Sequence, residues 1–223
     1  MSLFRANSEK PFEGPHQNQK VAHAGKDLKD ASGAMIMVHG RGASADSILG
    51  LANEFDHQNK VAFQAPQANG FTWYPYSFMA PKEKNQPGLN SGLQAIYDLV
   101  EKAASEGIEK KNIIILGFSQ GACLASEFVA RHPDFYGGLI ALSGGLIGDR
   151  VSKENYSGDL NKTPVFLGCS DIDPHIPKER VNESEEILTN LGARVTKKLY
   201  PRMGHLVNED EITEINKMIN KVF

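Results

Sequence analysis

Long apolar runs and clustered basic residues are both missing from this sequence of 223 residues. No apolar stretch approaches the roughly 20 residues that a membrane-spanning helix needs, so a membrane span is not expected. The 24 Lys and Arg residues are offset by 27 Asp and Glu residues and form no basic run. A nucleic-acid partner is therefore not expected, because binding to a phosphate backbone requires such a run or patch.

Cysteine is also scarce, since Cys123 and Cys169 are the only two. Both lie within apolar runs, which favours buried reduced thiols over a disulfide framework or a metal site. Residues 1–19 are polar and lack the apolar centre of a signal peptide. We therefore expect a cytoplasmic location, no metal ligands, and a loosely ordered N-terminal arm over residues 1–19.

The remaining residues, 20–223, alternate short apolar runs with longer amphipathic segments, a pattern typical of a single α/β domain with a mostly parallel sheet flanked by helices. The apolar runs predict strands buried on both faces, at residues 34–38, 61–63, 113–116, 139–142 and 164–167. Apolar residues at helical spacing predict a helix between Pro87 and Gly107. A second such stripe follows Asn208 and Glu211, which resemble a capping box at the start of a C-terminal helix.

The segment Gly117-Phe-Ser119-Gln-Gly121 matches the pattern G-x-S-x-G. It directly follows a predicted strand and directly precedes a helical pattern, and a strand, a tight turn and a helix are what a nucleophile elbow requires. The flanking glycines allow strand and helix to approach closely. The pattern therefore predicts Ser119 as a catalytic nucleophile, the alternative being an ordinary strand-to-helix turn.

An oxyanion hole needs N–H donors where negative charge develops during acyl transfer. One expected donor is the backbone N–H of Gln120, which follows the nucleophile. The second is expected in the glycine-containing segment 39–42 after the first predicted strand, where Arg41 is the candidate through its main chain. The alternative is that His39 and Gly40 form a simple turn and Arg41 is a solvated charge.

The base and its orienting acid should follow the nucleophile along the chain. His205 lies after the strand-like residues 194–199 and before the C-terminal helix, where a catalytic base is expected. His132 ends the helix of the nucleophile, about a helix length from Ser119. His175 stands only two residues after Asp173, too close for that acid to orient it. Asp173 is the better candidate acid, whereas Asp171 is expected to hold the loop together by bonding to nearby backbone N–H groups.

With these segments in hand, the chain resembles the phospholipase/carboxylesterase family of α/β hydrolases, which includes acyl-protein thioesterases and small bacterial carboxylesterases. The matching segments are 39–42, 73–74, 117–122, 173–177 and 203–205. The resemblance picks out Asp173, which heads a segment similar to D-x-x-V-P, although Ile176 stands where Val is usual. It also implies the α/β-hydrolase fold and a small enzyme without a cofactor or a cap domain, which the short interval 143–163 supports.

Residues 67–78 are unusually aromatic, and here the sequence departs from the acyl-protein thioesterases. We predict a loop that lines the substrate pocket, with Phe71, Trp73 and Tyr74 as substrate-binding residues. The alternative is a packed aromatic cluster that only supports the site. The departure favours a carboxylesterase for small esters over a thioesterase or lysophospholipase that acts on lipidated substrates.

Three other functions stay open at this point. The acyl group could pass to an acceptor other than water, which the sequence does not separate from hydrolysis. The chain could be a catalytically silent binding protein, because a fold does not fix a function. A dienelactone hydrolase is less favoured, because Ser119 replaces the cysteine nucleophile expected there.

Overall fold

The computed structural model describes residues 12–57 and 59–223, and its described residues form one seven-stranded sheet in the order β1-β3-β2-β4-β5-β6-β7. The strands are β1 (Val21–Gly25), β2 (Gly33–Val38), β3 (Val61–Pro66), β4 (Ile113–Phe118), β5 (Gly138–Leu142), β6 (Pro164–Ser170) and β7 (Arg194–Tyr200). Edge strand β1 pairs antiparallel with β3, and every other neighbouring pair is parallel. The prediction of a mostly parallel α/β-hydrolase sheet is therefore confirmed.

Helices cover both faces of this sheet. They are α1 (Ala45–Leu49), α2 (Gly88–Ser105), α3 (Gln120–Arg131), α4 (Lys178–Asn190) and α5 (Glu209–Val222). One apolar cluster joins one face of the sheet to α2, α3 and α4, and a second joins the other face to α1 and α5. The central strands are fully buried because their side chains alternate between the two clusters, as Met35 and Ile36 do in β2.

The predicted helix boundaries agree with local chemistry. Helix α2 begins after Pro87 and ends two residues before Gly107, which has a φ of 92° that favours glycine. At the start of α5, the side chain of Asn208 accepts a hydrogen bond from the Glu211 N–H, and the Glu211 carboxylate accepts one from the Asn208 N–H. The predicted capping box is present, and it satisfies two N–H groups that the helix start would otherwise leave unpaired.

Three of these strands and α-helices, namely β1, α1 and α4, were not predicted from the sequence. Strand β1 is a short edge strand with only partial burial, so its apolar residues form no distinct run. Helix α4 is rich in charge and buries a narrow stripe that includes Val181, Ile187 and Leu188. These apolar residues follow Pro177 at near-helical spacing, and this pattern was the signal in the sequence that could have predicted α4.

Of the predicted N-terminal arm, residues 1–11 lie outside the described residues. Within the described part, His16 is buried, and its ring bonds to the carbonyl of Trp73 at 2.9 Å and accepts from the N–H of Asn69 at 3.0 Å. The main-chain N–H of His16 donates to the Ser91 hydroxyl on α2 at 2.8 Å. Residues 12–19 thus contact the aromatic segment 67–78, and the division into an arm and a domain stays a prediction.

The parallel strands place four loops at one edge of the sheet. The loops after β2, β4, β6 and β7 carry Arg41, Ser119, Asp173 and His205. The described chain contains no helix with the length and apolar character that a membrane crossing demands. Cys123 and Cys169 are both buried and unpaired.

Candidate active site

Ser119 stands between β4 and α3 in a backbone conformation that few residues adopt. Its φ is 56° and its ψ is −120°, outside the regions that non-glycine residues normally occupy. The Ser119 N–H donates to the carbonyl of Leu142 on the neighbouring strand at 2.9 Å. This hydrogen bond holds the strained turn, which presents the hydroxyl at the positive end of helix α3.

Gly117 and Gly121 are required by the close packing of this turn. A Cβ on Gly117 would lie 2.3 Å from the carbonyl oxygen of Gly121. A Cβ on Gly121 would lie 2.1 Å from the carbonyl oxygen of Val38 in β2. Backbone atoms occupy both positions, so a side chain at either glycine would force strand and helix apart.

The hydroxyl of Ser119, the ring of His205 and the carboxylate of Asp173 form one chain of hydrogen bonds. His205 Nε2 lies 2.9 Å from Ser119 Oγ, and His205 Nδ1 lies 2.8 Å from Asp173 Oδ2. An ionised carboxylate only accepts hydrogen bonds, so Nδ1 is the protonated nitrogen and Nε2 accepts the serine proton. The structure thus brings together the three residues that the sequence analysis proposed as a triad, 86 and 32 residues apart along the chain.

The Asp173 carboxylate is completely shielded from solvent. Its Oδ1 accepts hydrogen bonds from the N–H groups of His175 and Ile176, at 2.9 and 3.0 Å. Burial disfavours the charged form, but the bonds from His205 and from these two N–H groups outweigh it and lower the pKa of Asp173. Asp173 therefore stays ionised at neutral pH and can stabilise a protonated His205.

The neighbouring carboxylate has a different contact. Asp171 Oδ1 accepts a hydrogen bond from the N–H of Arg202, at 2.8 Å, in the loop that carries His205. The hydroxyl of buried Ser170 accepts from the N–H of Gly204 in the same loop and from that of Ile172, at 3.2 and 3.3 Å. Asp171 and Ser170 thus join the two loops that carry Asp173 and His205. Ser170 was not among the residues predicted from the sequence, where its position at the end of β6 was its only signal.

The main-chain N–H groups of Arg41 and Gln120 are the predicted oxyanion donors. Gln120 is the first residue of α3, and Arg41 follows Gly40, whose backbone passes so close that an added Cβ would lie 3.3 Å from Ser119 Cβ. Neither N–H has a hydrogen-bond acceptor among the described residues. Gln120 therefore adjoins Ser119, the loop of Arg41 passes beside it, and both N–H groups are without a protein partner in the described chain.

The buried side chain of His39 holds the loop that carries Arg41. It is fully buried, its Nε2 accepts from the N–H of Ala68 at 3.1 Å, and its Nδ1 therefore donates to the carbonyl of Gly40 at 2.8 Å. Burial lowers the pKa of His39, which keeps the ring neutral with one donor and one acceptor. The indole N–H of Trp73 donates to the His39 carbonyl at 2.9 Å.

The side chains of the two oxyanion candidates hold the aromatic loop. The Arg41 guanidinium donates to the carbonyls of Tyr74, Pro75 and Tyr76, at 2.8, 3.0 and 2.9 Å. The Gln120 amide donates to the Tyr74 carbonyl and accepts from the Trp73 N–H, both at 2.9 Å. Arg41 is thus a side chain bonded to the loop and not a purely solvated charge.

A cleft of about 450 Å³ opens beside Ser119 and His205. Its other lining residues are Arg41, Tyr74, Pro75, Tyr76, Ser77, Phe78, Gln120, Cys123, His175 and Ile176. Of the three predicted substrate-binding residues, only Tyr74 lines this cleft. Trp73 has no exposed surface, which fits the supporting cluster considered above, and Phe71 is 54% exposed outside the cleft. Cys123 was not assigned to the site, although its position four residues after Ser119 in a helix was the available signal.

Comparison with known proteins gives consistent results. A family model described as Phospholipase/Carboxylesterase matches residues 19–223. Acyl-protein thioesterase 1 of Saccharomyces cerevisiae is 29% identical to this chain over 219 residues, which cover 87% of this chain and 94% of that protein.

Solved structures agree in fold. The crystal structure of a phospholipase/carboxylesterase from Dyadobacter fermentans superposes with a TM-score of 0.87 at 41% identity, covering 91% of this chain and 97% of that one. The Bacillus cereus carboxylesterase superposes with a TM-score of 0.72 at 19% identity, covering 93% and 96%, and this likeness concerns the fold alone.

Proposed function

This chain belongs to the phospholipase/carboxylesterase family of α/β hydrolases, and on that premise we propose that it is a serine carboxylesterase. Its substrates are short- to medium-chain carboxylic esters, and its reaction passes through an acyl-enzyme intermediate. The observation that carries the proposal is the continuous chain of hydrogen bonds from Ser119 through His205 to Asp173 at the edge of an open cleft. A nucleophile within reach of a base that a third group orients is the arrangement needed for acyl transfer.

Acylation begins when Ser119 Oγ forms a bond to the ester carbonyl carbon and its proton passes to His205 Nε2. The negative charge on the former carbonyl oxygen is stabilised by the main-chain N–H groups of Arg41 and Gln120. Collapse of this intermediate breaks the bond to the leaving alkoxy oxygen, which takes the proton from His205. Water then adds to the acyl-enzyme by the same steps, and the carboxylic acid is released.

The cleft supports a limit on acyl length. Tyr74, Phe78 and Ile176 provide apolar surface beside Ser119, and each methylene buried there contributes about 0.8 kcal/mol until the chain outgrows the wall. The connection 143–163 between β5 and β6 contains a single element of regular secondary structure, a short 3₁₀ turn. It therefore forms no cap over the cleft. Specificity is therefore expected to peak at roughly two to eight acyl carbons.

The proposal is tested with p-nitrophenyl esters from acetate to palmitate, hydrolysed by the wild-type chain and by Ser119→Ala. The variant should keep its melting temperature and lose activity by on the order of 10⁴ or more. A fluorophosphonate probe should label Ser119 in the wild-type chain, whereas a silent binding protein would not be labelled. More than a tenth of wild-type activity in folded Ser119→Ala would remove Ser119 from the mechanism.

A thioesterase acting on acylated proteins is the second candidate, favoured by the thioesterase relative in Saccharomyces cerevisiae. The acyl series separates the two functions, because a value of kcat/KM that keeps rising to palmitate would contradict the short-chain proposal and favour the thioesterase. The cytoplasmic location expected from the sequence stays a prediction.

A further inference from the structure

The charge of the cleft is set by one side chain. Among the described residues that line it, Arg41 alone carries a permanent charge. The other polar side chains that line the cleft are hydroxyls, one amide, the Cys123 thiol and the rings of His175 and His205. The Asp173 carboxylate lies behind His205 and has no exposed surface, so no carboxylate of the described chain faces a substrate in the cleft.

The positive charge of Arg41 is not neutralised by another part of the described chain. Its three hydrogen bonds go to the main-chain carbonyls of the aromatic loop, and it takes part in no ion pair there. Carbonyl oxygens accept hydrogen bonds but carry no net charge. A guanidinium has five N–H donors, so these three bonds leave donors unused.

The same three bonds hold the guanidinium in place. A flexible arginine normally loses side-chain entropy when it binds an anion, and Arg41 has already lost much of it on folding. Its loop also passes directly beside the nucleophile, as the position of Gly40 against Ser119 requires. A fixed, uncompensated cation therefore stands at the cleft within the same loop as a proposed oxyanion donor.

We infer that the preferred esters carry a carboxylate that binds beside Arg41, with the connecting carbons against Tyr74 and Phe78. This inference rests on the proposed function and narrows its substrate class to half-esters of short dicarboxylic acids and related anionic esters. Because Arg41 is exposed, its attraction for a carboxylate a few ångströms away is modest, and it weakens with added salt. A cationic ester of the same size should be a poor substrate.

The test uses pairs of p-nitrophenyl esters with the same number of acyl carbons. Mono-p-nitrophenyl glutarate is compared with the pentanoate, and the adipate half-ester with the hexanoate. The measured quantity is the ratio of kcat/KM for the charged ester to kcat/KM for the neutral ester. Since both esters use the same oxyanion hole, damage to that hole by a substitution largely cancels in the ratio.

Arg41→Gln should lower this ratio by about fivefold, which corresponds to about 1 kcal/mol, whatever its effect on the two separate rates. Arg41→Lys, which keeps the charge, should retain most of the ratio. Arg202→Gln is the matched control, because Arg202 is exposed three residues before His205 and does not line the cleft. It should leave the ratio unchanged, and in the wild-type chain added salt should lower the ratio.

An unchanged ratio in folded Arg41→Gln would overturn the inference, and so would an equal loss in Arg202→Gln. The neutral ester distinguishes this failure from a failure of the proposed function. If the wild-type chain hydrolyses the pentanoate through Ser119 and the ratio does not depend on Arg41, only the carboxylate inference fails. If neither ester is hydrolysed, the proposed function itself fails.

Discussion

The side chains of Arg41 and Gln120 donate to one shared acceptor, the main-chain carbonyl of Tyr74, at 2.8 and 2.9 Å. Their own main-chain N–H groups are the two proposed oxyanion donors, in segments that follow different strands, β2 and β4. The carbonyl of Tyr74 therefore links the two residues that carry the proposed donors. A change in the aromatic loop should displace these donors, although the loop supplies no donor of its own.

Gln120→Leu tests this coupling, because the main-chain N–H remains while the side-chain bonds to Tyr74 and Trp73 are lost. Complete removal of an oxyanion donor costs on the order of 10² to 10³ in kcat, so a misplaced donor should cost about tenfold or more. KM should change less, because the lost interaction acts mainly in the transition state. Gln64→Leu, the same exchange at a buried amide that has no hydrogen-bond partner in the described chain and does not line the cleft, is the control. A wild-type kcat in Gln120→Leu would contradict the coupling.

The assignment of base and acid is tested by pairs of neighbouring residues. His205→Ala and Asp173→Asn should each lower kcat by on the order of 10⁴ or more. His175→Ala should be milder, because the His175 ring packs against the ring of His205 and not against Ser119. Asp171→Asn should also be milder, since an amide oxygen can still accept from the Arg202 N–H. The assignment is wrong if Asp171→Asn proves the more damaging carboxylate change at equal stability.

The glycines of the turn around Ser119, Gly117 and Gly121, should be required for stability as well as for activity. Gly121→Ala would place a methyl group 2.1 Å from the Val38 carbonyl oxygen and should destabilise the fold by about 3 kcal/mol or more. Gly50→Ala is the control, because Gly50 has a helical φ of −55° and no atom within 4 Å of the added Cβ. That change should raise stability slightly, by about 0.5 kcal/mol. Thermal unfolding of both variants measures the difference, and equal melting temperatures would refute the packing argument.

Glu211 should make stability depend on pH. Burial raises its pKa from 4.5 to about 7, and its Oε1 has no hydrogen-bond partner in the described chain. Below pH 4.5 the group is protonated in both states. As the pH rises towards about 7 the unfolded chain loses this proton first, so the free energy of unfolding falls through that window, by up to about 3 kcal/mol.

Glu211→Gln should remove that part of the pH dependence, because glutamine keeps the capping box without a titrating proton. Glu209→Gln, an exposed change in the same helical turn, is the control and should retain the wild-type slope. Denaturant unfolding between pH 4.5 and 7.5 measures both. An unchanged slope in Glu211→Gln would show that another group is responsible.

Contiguous patterns were sufficient for several features of this protein. The motif around Ser119 lies within five residues between a strand and a helix, so its local context could be read directly. The capping box at Asn208 and Glu211 spans one helical turn. The central strands formed distinct apolar runs because they are buried on both faces. Strand β1 and helix α4 gave weaker signals, since each buries only part of its surface.

The sequence by itself determined the α/β architecture and nominated Ser119, His205 and Asp173 from their positions after strands. Only the tertiary structure decided which aromatic residues face the cleft. Phe71 and Trp73 are two residues apart in an irregular loop, yet one is largely exposed and the other fully buried. No fixed period relates neighbouring side chains in such a loop, so contacts with distant residues set each orientation. The bonds of Arg41 to the aromatic loop and of Ser170 to the His205 loop each join segments more than 30 residues apart, and local sequence patterns do not encode such contacts.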